Sequence, residues 1–208
     1  MRSIYKPLTP KGRIIVNGAK DIVYVRVPRG ANTSIRLAIP DAQEEKVSPS
    51  RLYKNYPNAF IFSFARNPWA RLVSGYRSKL CQRNSANKAA FKKLVRLDSR
   101  FRQHMPFEEF AELICGLPDR KVEKHFRSQS YFLKHKGQLI PDFVGRLENI
   151  QADWEKVQAI TNANLPLQHT NRSGATHYQE YYATPRLREL VADRYAEDIS
   201  SFGYHFDE

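Results

Sequence analysis

Two stretches of this chain set arginine, glycine and hydroxyl side chains at strand-to-helix corners, where an anion can be gripped. In IFSFARNPWARLVSGYRSKL, residues 61–80, an apolar run from Ile61 to Ala65 delivers Arg66 at the carboxyl end of an expected strand. Pro68 then opens a helix, at the position where its missing N–H costs nothing. Ser74 lies on that helix, so a cation, a hydroxyl and an electropositive helix terminus are expected to converge on one anion. In DIVYVRVPRGANTSIRLAI, residues 21–39, the β-branched run Ile22 to Val27 leads into a tight loop and a second helix. Arg29 brings a fork suited to phosphate or sulfate. Gly30 and Ala31 let backbone N–H groups approach a ligand, and Asn32, Thr33 and Ser34 add donors where the helix begins. No Gly-Lys-Ser/Thr follows the glycine, so the loop is not a Walker A motif. Two arginine-bearing corners suit a ligand with phosphates at two separated points.

The elements that position these corners alternate between strand and helix. Ile14 to Val16 and Ile22 to Val27 flank the turn signal NGAKD and form an expected hairpin. Residues 48–56 read as a short helix with Ser48 as cap and Pro49 in its first turn. Trp69, Leu72, Val73, Tyr76 and Leu80 give the helix after Pro68 one buried face. A basic amphipathic helix is expected over 87–103, with Phe91, Leu94, Val95 and Phe101 along one side. Pro106 opens another helix, FEEFAELIC, ending at Gly116. Ser128 to Leu133 and Asp142 to Leu147 are expected strands, and Asn149 to Asn162 an expected helix with Trp154 and Val157 inward. Thr184 and Pro185 start a terminal helix with Leu187, Leu190, Val191 and Tyr195 buried. This alternation, with phosphate loops at strand ends, predicts a three-layer α/β sandwich around a central, mostly parallel sheet. A chain of 208 residues without repeats or linkers is expected to form one domain over residues 1–208.

VPRGANTSIR resembles the 5′-phosphosulfate loop of sulfotransferases that use 3′-phosphoadenosine 5′-phosphosulfate (PAPS). FARNPWARLVSGYRSKL resembles the 3′-phosphate motif of the carbohydrate sulfotransferases, the Golgi-type group that sulfates glycans, and of their bacterial relatives. The likeness continues through EKHFRSQSYFL (123–133), FVGRLENIQADW (143–154), LPLQHTNRSG (165–174) and FGY (202–204). It implies a P-loop-like sulfotransferase fold, PAPS as donor, the adenosine bisphosphate PAP as product, and a carbohydrate acceptor. Carried over by residue, the loop N–H groups from Gly30 to Ser34 grip the 5′-phosphate, and Arg66 and Ser74 hold the 3′-phosphate. Arg172 and Ser173 match a segment that closes over the donor. Arg29 stands where the family has lysine. It can steady the leaving phosphate, but its permanent charge bars it from acting as a general acid.

A histidine suits proton removal near neutral pH. His125 aligns with a histidine-containing segment of the family and is the leading candidate base. Glu44 or Glu45 is its rival, matching a glutamate placed after the first phosphate loop and helix in related enzymes, and His104 ranks third. His135, His169, His177 and His205 sit in polar or terminal contexts and read as surface residues. Glu148 reads as structural, holding an arginine such as Arg146. No His/Cys/Asp spacing asks for a metal.

The chain carries 34 Lys and Arg against 21 Asp and Glu, a net charge of +13, which attracts anions over long range. Between Arg77 and Arg102 every charged residue except Asp98 is a Lys or Arg. That segment reads either as a solvated helix face or as a wall for a carboxylated or sulfated polysaccharide. Nucleic acid is disfavoured, because no zinc-finger spacing, RNP-like motif or aromatic stacking series accompanies the charge. Two other classes stand as alternatives: a noncatalytic protein that binds acidic glycan or nucleic acid, and a P-loop-type kinase, which the missing loop lysine disfavours. No stretch approaches the ~20 apolar residues that span a bilayer, and the first residues lack a secretory h-region. The expected location is the bacterial cytoplasm, or the Golgi lumen for a trimmed piece of an anchored eukaryotic protein. Cys81 and Cys115 are expected as reduced thiols.

Overall fold

The structure, a computed structural model, describes residues 12–81, 85–167 and 177–207. Its sheet begins as the expected hairpin of β1 (Gly12–Val16) and β2 (Ile22–Val25). In the turn, Asn17 Oδ1 accepts the N–H groups of Asp21 (3.1 Å) and Ile22 (3.0 Å). After α1 (Asn32–Ala38), β3 (Gln43–Val47) returns antiparallel to β1. The short α2 (Pro49–Asn55) precedes β4 (Phe60–Ala65), which lies parallel to β2, and α3 (Pro68–Tyr76) follows at once. Then come α4 (Ser85–Leu97), α5 (Phe107–Cys115), α6 (Ser130–Leu133) and a two-residue ladder of β5 (Lys134–His135) with β6 (Gln138–Leu139). β7 (Phe143–Arg146) adds parallel to β4, and α7 (Ile150–Thr161), α8 (Pro185–Arg194) and α9 (Ala196–Phe202) complete the described elements. The sheet order is β3-β1-β2-β4-β7, and every strand but β1 runs the same way.

Alternation along the strands builds the layers. Ile14, Val16, Val23, Val25, Ile61 and Ala65 face one side, against Leu52 of α2, Leu133 of α6 and Phe202 of α9. Ile15, Tyr24, Phe62 and Phe64 face the other, against Ile35 of α1 and Trp154 and Val157 of α7. β4 is buried on both faces, as a parallel strand between helical layers must be. Beyond the sandwich, α3, α4, α5 and α8 enclose a separate aromatic core that includes Trp69, Tyr76, Phe107, Phe110 and Phe126.

Three expectations change. Ser128 to Leu133 is not a strand: residues 130–133 form α6, because the buried carboxylate of Asp198 accepts the N–H groups of Gln129 and Ser130, both at 2.7 Å. That cap comes from α9, far away in sequence. The basic helix over 87–103 ends at Leu97, where the Asp98 carboxylate takes the Arg100 N–H at 2.9 Å and turns the chain. The terminal helix breaks at Tyr195, which is 2 % exposed and donates its hydroxyl to the Phe126 carbonyl at 2.8 Å. Among the described residues, no helix is long and apolar enough to cross a membrane. Cys81 and Cys115 are both free thiols.

Candidate active site

The first corner connects β2 to α1. Arg29 and Ala31 hold left-handed φ angles of 73° and 54°, a conformation L-residues adopt only under constraint. The constraint is a set of short local bonds. Tyr24, fully buried, donates its hydroxyl to the Gly30 carbonyl (2.5 Å) and to Asn32 Oδ1 (3.0 Å). Asn32 Nδ2 and the Gly30 N–H both donate to the Val27 carbonyl, at 2.8 and 3.0 Å. A Cβ at Gly30 would stand 2.8 Å from the Phe64 carbonyl oxygen, so only glycine lets the loop lie this close to β4. The sequence reading offered both the Asn32 side chain and the Gly30 N–H to a ligand; the fold spends them on shaping the loop. Thr33 is exposed and Ser34 half-buried at the start of α1.

The second corner connects β4 to α3. Arg66 follows β4 as expected, and Pro68 occupies the first helical position. Asn67, fully buried, caps α3: its Oδ1 accepts from the N–H groups of Trp69 (3.1 Å) and Ala70 (3.3 Å). The electropositive helix terminus expected to take an anion is therefore already capped, which leaves side chains as the candidates for holding one. Those side chains converge. Arg29 Nε donates to Ser74 Oγ at 3.0 Å and its Nη2 donates to the same hydroxyl, so the two corners touch. Burial pushes the Arg66 guanidinium down to about 10; Glu148 pulls the other way, while Arg29 and Arg71 repel it further. Burial, then Arg71, lowers Arg29 as well. Burial and mutual repulsion disfavour these guanidinium charges, and an anionic ligand would relieve both.

His125 lies in a 3-10 turn, Lys124–Phe126, whose N-cap Glu123 accepts the His125 N–H at 2.8 Å. Glu123 Oε2 also meets His125 Nδ1 at 2.7 Å, and Glu123 is only 4 % exposed. Burial would raise the Glu123 carboxyl, but the hydrogen bonds and charge of His125 hold it below its usual value. For His125, burial wins: it lowers the imidazole despite Glu123, and Lys79 and Lys124 reinforce the shift. A carboxylate that engages Nδ1 leaves Nε2 as a neutral proton acceptor. His125 also lines a cleft of about 240 Å³, together with Pro28, Asn32, Arg13, Arg26, Lys124, Arg127, Tyr131 and Phe132.

The other candidates stand elsewhere. Glu44 pairs with Arg26 (2.5 Å) and Arg36 (3.5 Å), Glu45 accepts from the Tyr56 hydroxyl (2.7 Å), and neither lines that cleft. His104 is exposed in a turn. Glu148 takes the Asn67 N–H (2.8 Å) and the Tyr204 hydroxyl (3.2 Å), while Arg146 donates to the carbonyls of Phe202 and Gly203. Arg172, Ser173 and His169 lie outside the described residues. Among the described residues, no cluster of three or more His, Cys, Asp or Glu could hold a metal ion.

Four residues carrying the site escaped the sequence reading. Tyr24 stood only within the apolar strand run and Arg71 only within the motif around Ser74, neither singled out. Glu123 was legible in principle, from its spacing to His125. Lys79 was counted only as part of a basic run, yet it is 7 % exposed and donates to Asn87 Oδ1 at 2.8 Å. A π-helical turn, Arg77–Cys81, follows α3 and changes the rotation per residue, so Ser78, Lys79 and Leu80 are all buried.

A family model described as "Sulfotransferase family" matches residues 38–205. The first corner precedes that span. Carbohydrate sulfotransferase 12 of Mus musculus is 28% identical over 169 residues, covering 69% of this chain and 39% of the relative. Carbohydrate sulfotransferase 14 of Danio rerio is 23% identical over 175 residues, covering 75% and 47%. The chain thus spans less than half the length of the curated relatives it matches. Among solved structures, a sulfotransferase from Alicyclobacillus acidocaldarius is similar at 21% identity and a TM-score of 0.38, covering 74% of this chain and 56% of that one. With the family match running from residue 38 to residue 205, through the Arg66 corner and the His125 turn, the chain belongs to the sulfotransferase family.

Proposed function

We propose that this chain moves the sulfuryl group of PAPS to a hydroxyl of a carbohydrate acceptor. One observation carries the reading: the Arg29 guanidinium rests on the Ser74 hydroxyl, joining the two corners beside Arg66. Such a donor set fits a nucleotide that bears two separate phosphates. Arg66 and Ser74 take its 3′-phosphate, and Arg29 with the start of α1 takes the 5′-phosphosulfate. The names of the matched relatives favour a carbohydrate acceptor. The Arg13, Arg26, Lys124 and Arg127 side chains in the His125 cleft favour one with carboxylate or sulfate groups, a different wall from the 77–102 segment.

In the transfer, the acceptor hydroxyl oxygen bonds to sulfur as the bond from sulfur to the 5′-phosphate oxygen breaks. The hydroxyl proton passes to Nε2 of His125, and the negative charge of the departing bisphosphate is met by Arg29. Alignment and fixed charge supply the acceleration. His125 is favoured as base over Glu44 and Glu45 because it alone of the three lines the cleft and is oriented by a carboxylate.

Thermal unfolding of the wild type and Arg66→Ala with 3′,5′-adenosine bisphosphate, against 5′-AMP, tests the donor site. At about 100 times its Kd the bisphosphate should stabilise the wild type by about 2.7 kcal/mol. In Arg66→Ala the affinity should fall about 10- to 150-fold, for a charge-assisted contact of about 1.5–3 kcal/mol. No response to either nucleotide would sink the reading and shift weight to a noncatalytic polyanion-binding protein.

A further inference from the structure

Arg71 is 2 % exposed, on the second turn of α3, and its planar fork reaches two backbones remote from each other. Nε donates to the Pro28 carbonyl at 3.1 Å, immediately before Arg29. Nη1 donates to the Arg127 carbonyl at 2.7 Å, immediately after the turn that carries His125. Nη2 has no hydrogen-bond partner among the described residues. Pro28 and Arg127 also line the cleft into which His125 faces, so a single guanidinium holds parts of both its walls.

Stability alone is a poor reason for this arrangement. Burying a guanidinium with one donor unmatched is costly, and apolar side chains of similar volume commonly serve at least as well. What an apolar side chain cannot do is hold two carbonyls at a set spacing. The same turn is seated on α3 by a second device: a Cβ at Gly75 would stand 2.6 Å from the Phe126 ring, so glycine permits the close approach.

We propose that Arg71 is a positioning residue that sets the distance between the donor cradle at Arg29 and the proton acceptor His125. This inference rests on the sulfotransferase reading above, because the spacing has a catalytic meaning only if donor and base act on one acceptor. Arg71 acts through Pro28 and Arg127 and touches no reacting atom.

The test is Arg71→Lys, which keeps the charge but cannot bridge both carbonyls; Arg71→Gln serves where the lysine variant does not fold. Hydrogen exchange on the free proteins should show faster exchange in both segments, 27–34 and 122–130. Faster exchange in only one segment, or in neither, overturns the clamp whatever the enzyme does. In turnover assays below the variant's melting range, kcat should fall at least tenfold, while bisphosphate affinity changes less than threefold. Unchanged kcat in an active enzyme, or equal losses of kcat and affinity, also overturns it. A wild type that neither binds the bisphosphate nor turns over overturns the sulfotransferase reading itself, and with it the catalytic role of the clamp.

Discussion

The two arginine-bearing corners are built by opposite means. The bend of the first is set by bonds close in sequence, linking Tyr24 to Gly30 and Asn32, and both Asn32 and Gly30 to Val27, while Arg71 on Pro28 and Arg29 on Ser74 tie it to α3. Those shaping the second reach across the chain. The Arg66 N–H donates to Gln129 Oε1 (2.9 Å), the Asn67 N–H to Glu148 Oε1 (2.8 Å), and Asn67 Nδ2 to the His205 carbonyl (2.8 Å). A loop closed on itself must bend sharply, which accounts for the positive φ angles at Arg29 and Ala31. A corner held by distant segments needs no such bend, but it exists only once those segments have docked. The first corner therefore keeps its bend with few long-range ties, at Arg29 and Arg71, while the second opens only with much of the fold.

Four substitutions would break or sharpen this contrast. The largest effect is expected from outside both corners: His125→Ala should cut kcat about 10²- to 10⁴-fold while leaving bisphosphate affinity intact. Loss of affinity instead would mean that the His125 turn helps form the anion site and that proton transfer lies elsewhere. Next come paired substitutions, one per corner. Asn67→Ala removes a cap and the Nδ2 bonds to the His205 carbonyl and the Tyr178 hydroxyl, and should lower global stability by about 2–3 kcal/mol, read by chemical denaturation. Gly30→Ala drives a Cβ toward the Phe64 carbonyl and should weaken bisphosphate binding, with a smaller stability loss of about 1–2 kcal/mol. Equal stability losses would erase the distinction between a local and a global corner.

The smallest effect is a shift in pH profile. Burial, Lys79 and Lys124 lower His125, against the pull of Glu123. The imidazole is then a free base down to a pH below the ordinary histidine value of about 6.5, and the acid limb of kcat/KM should lie below it. Lys79→Met removes one repelling cation, so the His125 pKa rises and the acid limb moves to higher pH. A limb that stays put or moves down would show that Lys79 does not act on His125.

How much was legible follows the same division. Residues that form the sheet's hairpin, β4, α5 and α7 announce themselves by local apolar period, turn signals and helix breakers, and the structure keeps them close to their expected places. The three-layer arrangement follows from that alternation. Misread segments are those whose conformation is set from afar. Ser130 to Leu133 carries aromatic and β-compatible residues, yet it is helical because Asp198 caps it. Glu148 is structural as read, but the partners its carboxylate takes, the Asn67 N–H and the Tyr204 hydroxyl, lie far away in sequence, and the arginine it faces is Arg66.

By itself, the sequence of this chain determines two arginine-bearing corners, the strands and helices that frame them, and an excess of positive charge. All of these rest on interactions within a few residues or on summed composition. Only the tertiary structure decides that Arg29 meets Ser74, that Asn67 closes the helix terminus offered to an anion, and that Lys79 is buried while Glu44 is tied to Arg26. Each of these depends on which distant donor or acceptor reaches a polar group first, because a buried polar group takes the partner the packing brings to it. That choice is made by the packing of the whole chain, and no local pattern records it.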